Sequence, residues 1–179
     1  MAPIRWPIVQ VQEQMVEVAD GVCLCARVTR GEQVPFLLVH GLASNARLWD
    51  GVAQRLAAAG HTVVAIDQRG HGQSSKPDDG YDFATVVADL VALIDSLGLD
   101  RPIAVGQSWG GNVVIELGAT DASAVRGVVA VDGGFIELRS RFNTWESCCQ
   151  VLTPPRLIGT PAARMRQWMC DANSDWPEE

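Results

Sequence analysis

An apolar run, Pro102 to Val105, passes through Gly106-Gln107-Ser108-Trp109-Gly110-Gly111 directly into a helical pattern carried by Val113, Val114 and Leu117. Few folds accommodate this junction. A strand that turns sharply into a helix brings two backbones close together, and only small residues on either side leave room for the approach. Gly106, Gly110 and Gly111 supply that room. The turn also forces Ser108 into strained backbone angles with its hydroxyl outward, and the helix that starts there aims its free N–H groups at the same place. The spacing G-x-S-x-G between a strand and a helix is that of a nucleophile elbow. The other reading of these residues is a serine N-cap followed by a glycine-tolerant turn.

The flanking segments repeat the alternation of strand and helix. Met15 to Val28 reads as a hairpin around Asp20-Gly21, an antiparallel edge. Phe36 to Val39 is a short apolar strand, followed by Leu48, Val52, Leu56 and Ala59 at helical spacing. Thr62 to Ile66 is a β-branched strand, and the polar, glycine-rich segment Asp67 to Ser75 after it is expected on the surface. Phe83, Val86, Val87, Leu90, Leu93, Ile94 and Leu97 form an apolar helical stripe, with Asp82 as N-cap and Gly98 as terminator. Val125 to Val131 reads as another buried strand.

Continuous apolar strands alternating with amphipathic helices require parallel pairing with helices on both faces. The expected class is therefore α/β, a doubly wound, mostly parallel sheet over residues 1–134. After Gly134 the pattern changes. Phe142, Trp145, Pro154-Pro155 and Trp168 sit in a segment without strand character, and Thr160-Pro161 ahead of Met165, Trp168 and Met169 predicts a capped helix. Residues 135–179 read as the start of a helical cap.

Composition narrows the partners. With 47% hydrophobic and 20% charged residues among 179, the chain can bury one substantial core. Its formal charge of −7, from 21 acidic and 14 basic residues, offers no general attraction for nucleic acid or an anionic membrane surface. No stretch resembles a membrane span, and Met1 to Gln14, broken by Pro3, Pro7, Gln10 and Gln12, lacks the apolar run of a signal peptide. Cys23, Cys25, Cys148, Cys149 and Cys170 are odd in number and follow neither zinc-site nor disulfide spacing. They are expected to be reduced thiols of a cytoplasmic protein, and neither a metal nor a cofactor is expected.

His40-Gly41-Leu42 follows the Phe36 to Val39 strand. Alone it reads as a turn with a hydrogen-bonded histidine; beside an elbow it offers the backbone N–H of Leu42 as an oxyanion donor alongside that of Trp109. The segments LLVHGLASNARLWD, VVAIDQRGHGQSS, AVGQSWGG and VVAVDGG, in this order and at these separations, make the sequence similar to the α/β-hydrolase superfamily, in the subgroup with a helical cap after the sixth strand. The resemblance covers nearly the whole chain. It implies that Asp67, Arg69 and His71 hold loops together and do no chemistry. It implies acyl transfer as well, because the related haloalkane dehalogenases and many epoxide hydrolases carry an aspartate at the elbow to form an alkyl ester, where this chain has Ser108. Serine attack, proton removal by a histidine and oxyanion stabilisation serve ester, lactone, amide, thioester or carbon–carbon cleavage at a carbonyl.

The resemblance fails at one point. The family triad runs in the order serine, acid, histidine, whereas His40, His61 and His71 all precede Ser108. The expectation is that the last strands, with the histidine loop, are absent and that the chain ends within the cap. Asp132, at the end of the sixth strand, stands where some relatives place the triad acid and most place a structural aspartate. Three readings follow. One is a cofactor-independent serine hydrolase, or the N-terminal part of one, acting on a small acyl substrate under a cap containing Trp145 and Trp168. The others are a non-catalytic ligand-binding protein with the hydrolase fold, and a perhydrolase or cofactor-free haloperoxidase.

Overall fold

The computed structural model describes residues 10–134, 138–153 and 159–172. They divide between two compact units, Met1–Ile136 and Glu137–Glu179. In the first unit six strands, β1 (Gln12–Ala19), β2 (Val22–Thr29), β3 (Gln33–Val39), β4 (His61–Ile66), β5 (Ile103–Gln107) and β6 (Gly127–Val131), form one sheet in the order β1-β2-β4-β3-β5-β6. The hairpin β1–β2 turns at Asp20-Gly21, where Gly21 takes φ 68°, and β2 runs antiparallel to β4. The other pairings, β4 with β3, β3 with β5 and β5 with β6, are parallel. This is the doubly wound class expected from the alternation of elements.

Helices cover both faces because successive residues of a strand point to opposite sides. Leu37, Val39, Val64, Ile66 and Ala104 pack with helices α2 (Phe83–Ser96) and α3 (Trp109–Thr120). Their neighbours Leu38, Val63, Ala65 and Val105 pack with Ala46, Trp49 and helix α1 (Asp50–Ala58) on the other face. Asp82 caps α2 by accepting from the Thr85 N–H at 3.0 Å, and Gly98 ends it at φ 62°. The second unit contains α4 (Leu138–Arg141), α5 (Trp145–Leu152) and α6 (Ala162–Ala172). Thr144 and Ser147 form a reciprocal capping box on α5, and α6 follows Pro161, whose carbonyl accepts from Met165. Pro154-Pro155, the Met169 side chain and both chain ends lie outside the described residues.

Three expectations need correction. Of the stripe Leu48, Val52, Leu56 and Ala59 only Leu56 packs toward the sheet, since Leu48, Val52 and Ala59 are exposed. A 3₁₀ turn, Ala46–Trp49, capped by Asn45, precedes α1 and rotates it so that Trp49, Ala53, Leu56 and Ala57 face inward. The segment Asp67 to Ser75 is not simply a surface loop, because Asp67, Gln68, Arg69 and Ser74 are buried and each makes side-chain hydrogen bonds to protein, Gln68 through its Nε2 alone. Finally, β6 is not buried. Val128, Val129 and Val131 are 40–45% exposed, because β6 is the outermost strand and pairs with β5 alone among the described residues.

One buried ion pair fastens the long loop to the helical layer. Arg69 donates from Nε and Nη2 to the two carboxylate oxygens of Asp89 at 2.6 Å each, and from Nη1 to the Gly80 carbonyl at 2.9 Å. Asp89→Ala strands the buried guanidinium without its counter-charge and is expected to cost about 3–5 kcal/mol of stability in urea unfolding. A cost below about 1 kcal/mol would show that the pair does not hold the loop.

Candidate active site

Strand β5 ends at Gln107 and α3 begins at Trp109, leaving Ser108 alone to make the turn. Its backbone has φ 52° and ψ −118°, a region that side chains other than hydrogen rarely occupy, and its side chain makes no capping bond to the helix. The N-cap reading is thereby corrected: a capping serine has extended angles and spends its oxygen on the helix. The Ser108 N–H donates to Val131 O at 2.9 Å, tying the turn to the end of β6, and its carbonyl accepts from Gly111.

The glycines around Ser108 are required by contact. A β-carbon on Gly110 would press into the carbonyl oxygens of Val39 and His40, and one on Gly133 would press into the Ser108 backbone. Gly41 packs on the same turn from the side of β3. A β-carbon there would come within 2.6 Å of Gln107 Oε1 and 3.0 Å of Ser108 Cβ. The loop residue that follows, Leu42, is 65% exposed. Trp109 opens α3, so its N–H has no helical carbonyl four residues back. Its indole stacks on Phe83 at 4.7 Å. Asp132 ends β6 in the left-handed region at φ 48°, one residue before Gly133. The four predicted site residues therefore split into two sets: Ser108, Trp109 and the Gly41-Leu42 loop meet at one turn, and Asp132 reaches it through Gly133.

The three histidines are engaged elsewhere. His40 is fully buried, its Nδ1 2.7 Å from Gly41 O and its Nε2 accepting from the Gln68 N–H at 3.1 Å. This pattern requires the neutral ring with the proton on Nδ1, and burial pushes its pKa below the usual histidine range. His61 Nδ1 lies 2.8 Å from Val34 O, and His71 Nδ1 lies 3.0 Å from Arg69 O, with its ring edge-on to His40.

Asp67 ties its own loop to the preceding one, accepting from Ala46 N–H at 2.7 Å, and closes its own loop by accepting from Gln73 N–H at 2.8 Å. Burial also raises the Cys25 thiol pKa, and all five cysteines are unpaired. Several contributors escaped the sequence reading. Asp89 is the acid that sits among the buried apolar residues of α2, a detectable but ambiguous signal beside the exposed Asp95 of the same helix. Gln68, which donates to His40 O at 2.6 Å, and Asn112, which accepts from Gly134 N–H at 2.5 Å, gave none.

Residues 34–150 match the alpha/beta hydrolase fold family, and the chain belongs to it. It is 40% identical over 97 residues to epoxide hydrolase A of Mycobacterium tuberculosis strain H37Rv, covering 53% of this chain and 30% of that protein. It is 36% identical over 103 residues to 2-(acetamidomethylene)succinate hydrolase of Mesorhizobium japonicum, covering 58% of this chain and 37% of the other. Among solved structures, Est816, described as an N-acyl homoserine lactone degrading enzyme, superposes with a TM-score of 0.63 at 33% identity, over 67% of this chain and 45% of that one. The chain thus spans about a third of the length of the curated relatives named here. Among the described residues no helix is long and apolar enough to cross a membrane, and no group of side chains is arranged to hold a metal ion.

Two measurements check this geometry. Gly110→Val is expected to lower stability by about 3 kcal/mol or more, because the contact it breaks is with main chain that cannot yield; an unchanged melting temperature would mean a looser turn. His40 should stay neutral in NMR titrations at pH values where free imidazole is protonated. The unfolded chain takes up that proton near pH 6.5 and the folded chain does so only at lower pH, so stability from this residue falls as pH drops below about 6.5. A His40 titration at the ordinary value would contradict the burial argument.

Proposed function

We propose that Ser108 is the nucleophile of a cofactor-independent serine hydrolase acting on small acyl compounds. Ser108 Oγ attacks the substrate carbonyl, its proton passes to a base, and the backbone N–H groups of Leu42 and Trp109 hold the oxyanion. Collapse expels the leaving group and forms an acyl-enzyme, which water then hydrolyses. The observation that carries this reading is the backbone of Ser108, held at φ 52° with its hydroxyl not spent on capping. Strain of this kind costs about 1–3 kcal/mol and persists where it positions a reacting group. A serine at this turn favours acyl chemistry over alkyl-ester formation, and two relatives are named for acting on carbonyl compounds, 2-(acetamidomethylene)succinate and N-acyl homoserine lactone.

An acid role for Asp132 needs a histidine between it and Ser108, and His40, His61 and His71 are all bonded elsewhere. In this reading Asp132 therefore first shapes the strand end, and the proton acceptor is not among these three. Residues 135–179 are assigned as the start of a cap, with the exposed Trp145 and Trp168 as its aromatic surface. The unpaired thiols favour a reducing, cytoplasmic setting, and the net charge of −7 disfavours nucleic acid and anionic membranes as partners.

Hydrolysis of short-chain nitrophenyl esters by the purified chain tests the assignment. Without a positioned base, turnover should depend on Ser108 and reach at most about 10³–10⁴ over water. Equal rates for the wild type and Ser108→Ala would overturn the nucleophile assignment. Triad-like turnover would instead make one of the three histidines the base.

A further inference from the structure

The loop that leaves β3 carries the backbone N–H of Leu42, and both ends of that loop are held from one place. At the near end Gln68 grips His40 twice. Its main-chain N–H donates to His40 Nε2 at 3.1 Å, and its side-chain Nε2 donates to His40 O at 2.6 Å. At the far end the preceding residue, Asp67, accepts from the Ala46 N–H at 2.7 Å. Gln68 and His40 are 3% and 0% exposed, so the grip lies among residues that this chain itself surrounds.

The hold on His40 passes to the next peptide group. A donor at Nε2 leaves the ring proton on Nδ1, and Nδ1 lies 2.7 Å from Gly41 O. The Gly41 carbonyl and the Leu42 N–H belong to one planar group, in which they point opposite ways when the bond is trans. Holding the carbonyl against the buried ring therefore turns the Leu42 N–H away from it. The same peptide runs beside the nucleophile, since a β-carbon on Gly41 would come within 3.0 Å of Ser108 Cβ. His40 O also faces the first turn of α3, where a β-carbon on Gly110 would lie 2.5 Å from it. The Gln68 carboxamide thus bonds a carbonyl that stands between the Leu42 loop and the helix opened by Trp109. Stability alone is a poor account of a glutamine here. Its Oε1 is buried and takes no hydrogen bond from a described residue, an acceptor that a leucine would not leave unmatched. What leucine lacks is the donor to His40 O.

We propose that Gln68 is a positioning residue for the oxyanion site: through His40 it sets the direction of the Gly41–Leu42 peptide, and so of the N–H that meets the developing charge. This role presupposes Ser108 as the nucleophile and the Leu42 N–H as a donor. Gln68 touches no reacting atom, and its effect reaches the substrate through the hydrogen bonds on either side of His40.

Gln68→Leu in the full 179-residue chain separates positioning from simple support, with circular dichroism to confirm folding. The first readout is hydrolysis of nitrophenyl acetate after subtraction of the Ser108→Ala rate. An oxyanion donor acts in the transition state and not on the bound ester, so kcat should fall about tenfold or more while KM holds. The second readout needs no turnover: the N–H residual dipolar couplings of Gly41 and Leu42 should change, and those of β3 and β4 should not. Thr62→Val, which removes two side-chain hydrogen bonds to Gly31 at the other end of β4, should lower the melting temperature and leave both readouts as they are. If Ser108→Ala turns over as fast as the wild type, the nucleophile assignment fails and the couplings alone decide the role of Gln68. An unchanged Leu42 coupling in folded Gln68→Leu would overturn that role. So would an undiminished kcat where turnover depends on Ser108, a loss confined to KM, or an equal loss in Thr62→Val. Gln68→Met replaces Gln68→Leu if leucine prevents folding; a chain that folds with neither makes Gln68 a structural residue and also overturns the proposal.

Discussion

The close approach of four backbone segments at one turn governs the first unit. The ends of β3, β5 and β6 and the first residues of α3 converge on Ser108, and glycines stand at each point where a β-carbon would collide with main chain. At Gly106, Gly110, Gly111 and Gly133 the contact cannot be relieved by a side chain changing rotamer, since the opposing atoms are main chain. The turn at Ser108 is therefore determined from outside the residue itself. Its positive φ is imposed by the convergence, and the uncapped hydroxyl follows from it.

A second layer of polar contacts holds the loops that flank this turn. His40 and Gln68 join the loop after β3 to the loop after β4 through two hydrogen bonds, Asp67 adds a third from Ala46 and closes its own loop on Gln73, and Arg69 anchors the second loop to Asp89 on α2. Buried polar groups of this kind are stable only when their bonding capacity is used. That requirement explains why histidines lying near the elbow in sequence motifs are unsuited to proton transfer. The neutral His40 ring has both nitrogens committed to holding loops in place.

Much of this was legible in the sequence, for a physical reason. Steric necessity leaves a direct record, so glycines at fixed offsets from Ser108 revealed the elbow, and Asp82 and Gly98 revealed the ends of α2. Period-two and helical patterns revealed the sheet and its layers. What depends on a distant partner left a weaker trace. Asp89 looked like any polar residue on a helix until Arg69 was placed beside it, and the burial of Asp67 and Ser74 goes with hydrogen bonds to backbone groups of the 3₁₀ turn and β2. The face that α1 turns inward follows from the 3₁₀ turn ahead of it, which helical spacing does not reveal, and the exposure of β6 could not be read from its composition, which is that of a buried strand.

The central claim, that the backbone and not helix capping sets the position of Ser108, has a direct thermodynamic test in a single variant. Unfolding free energies of Ser108→Gly and the wild type should be compared in urea. At an ordinary N-cap, glycine in place of serine loses the capping bond and costs roughly a few tenths of a kcal/mol. At φ 52° the order inverts, because glycine relieves the strain that serine holds. The account predicts that Ser108→Gly is more stable than the wild type by about 1 kcal/mol; a Ser108→Gly variant less stable than the wild type would contradict it.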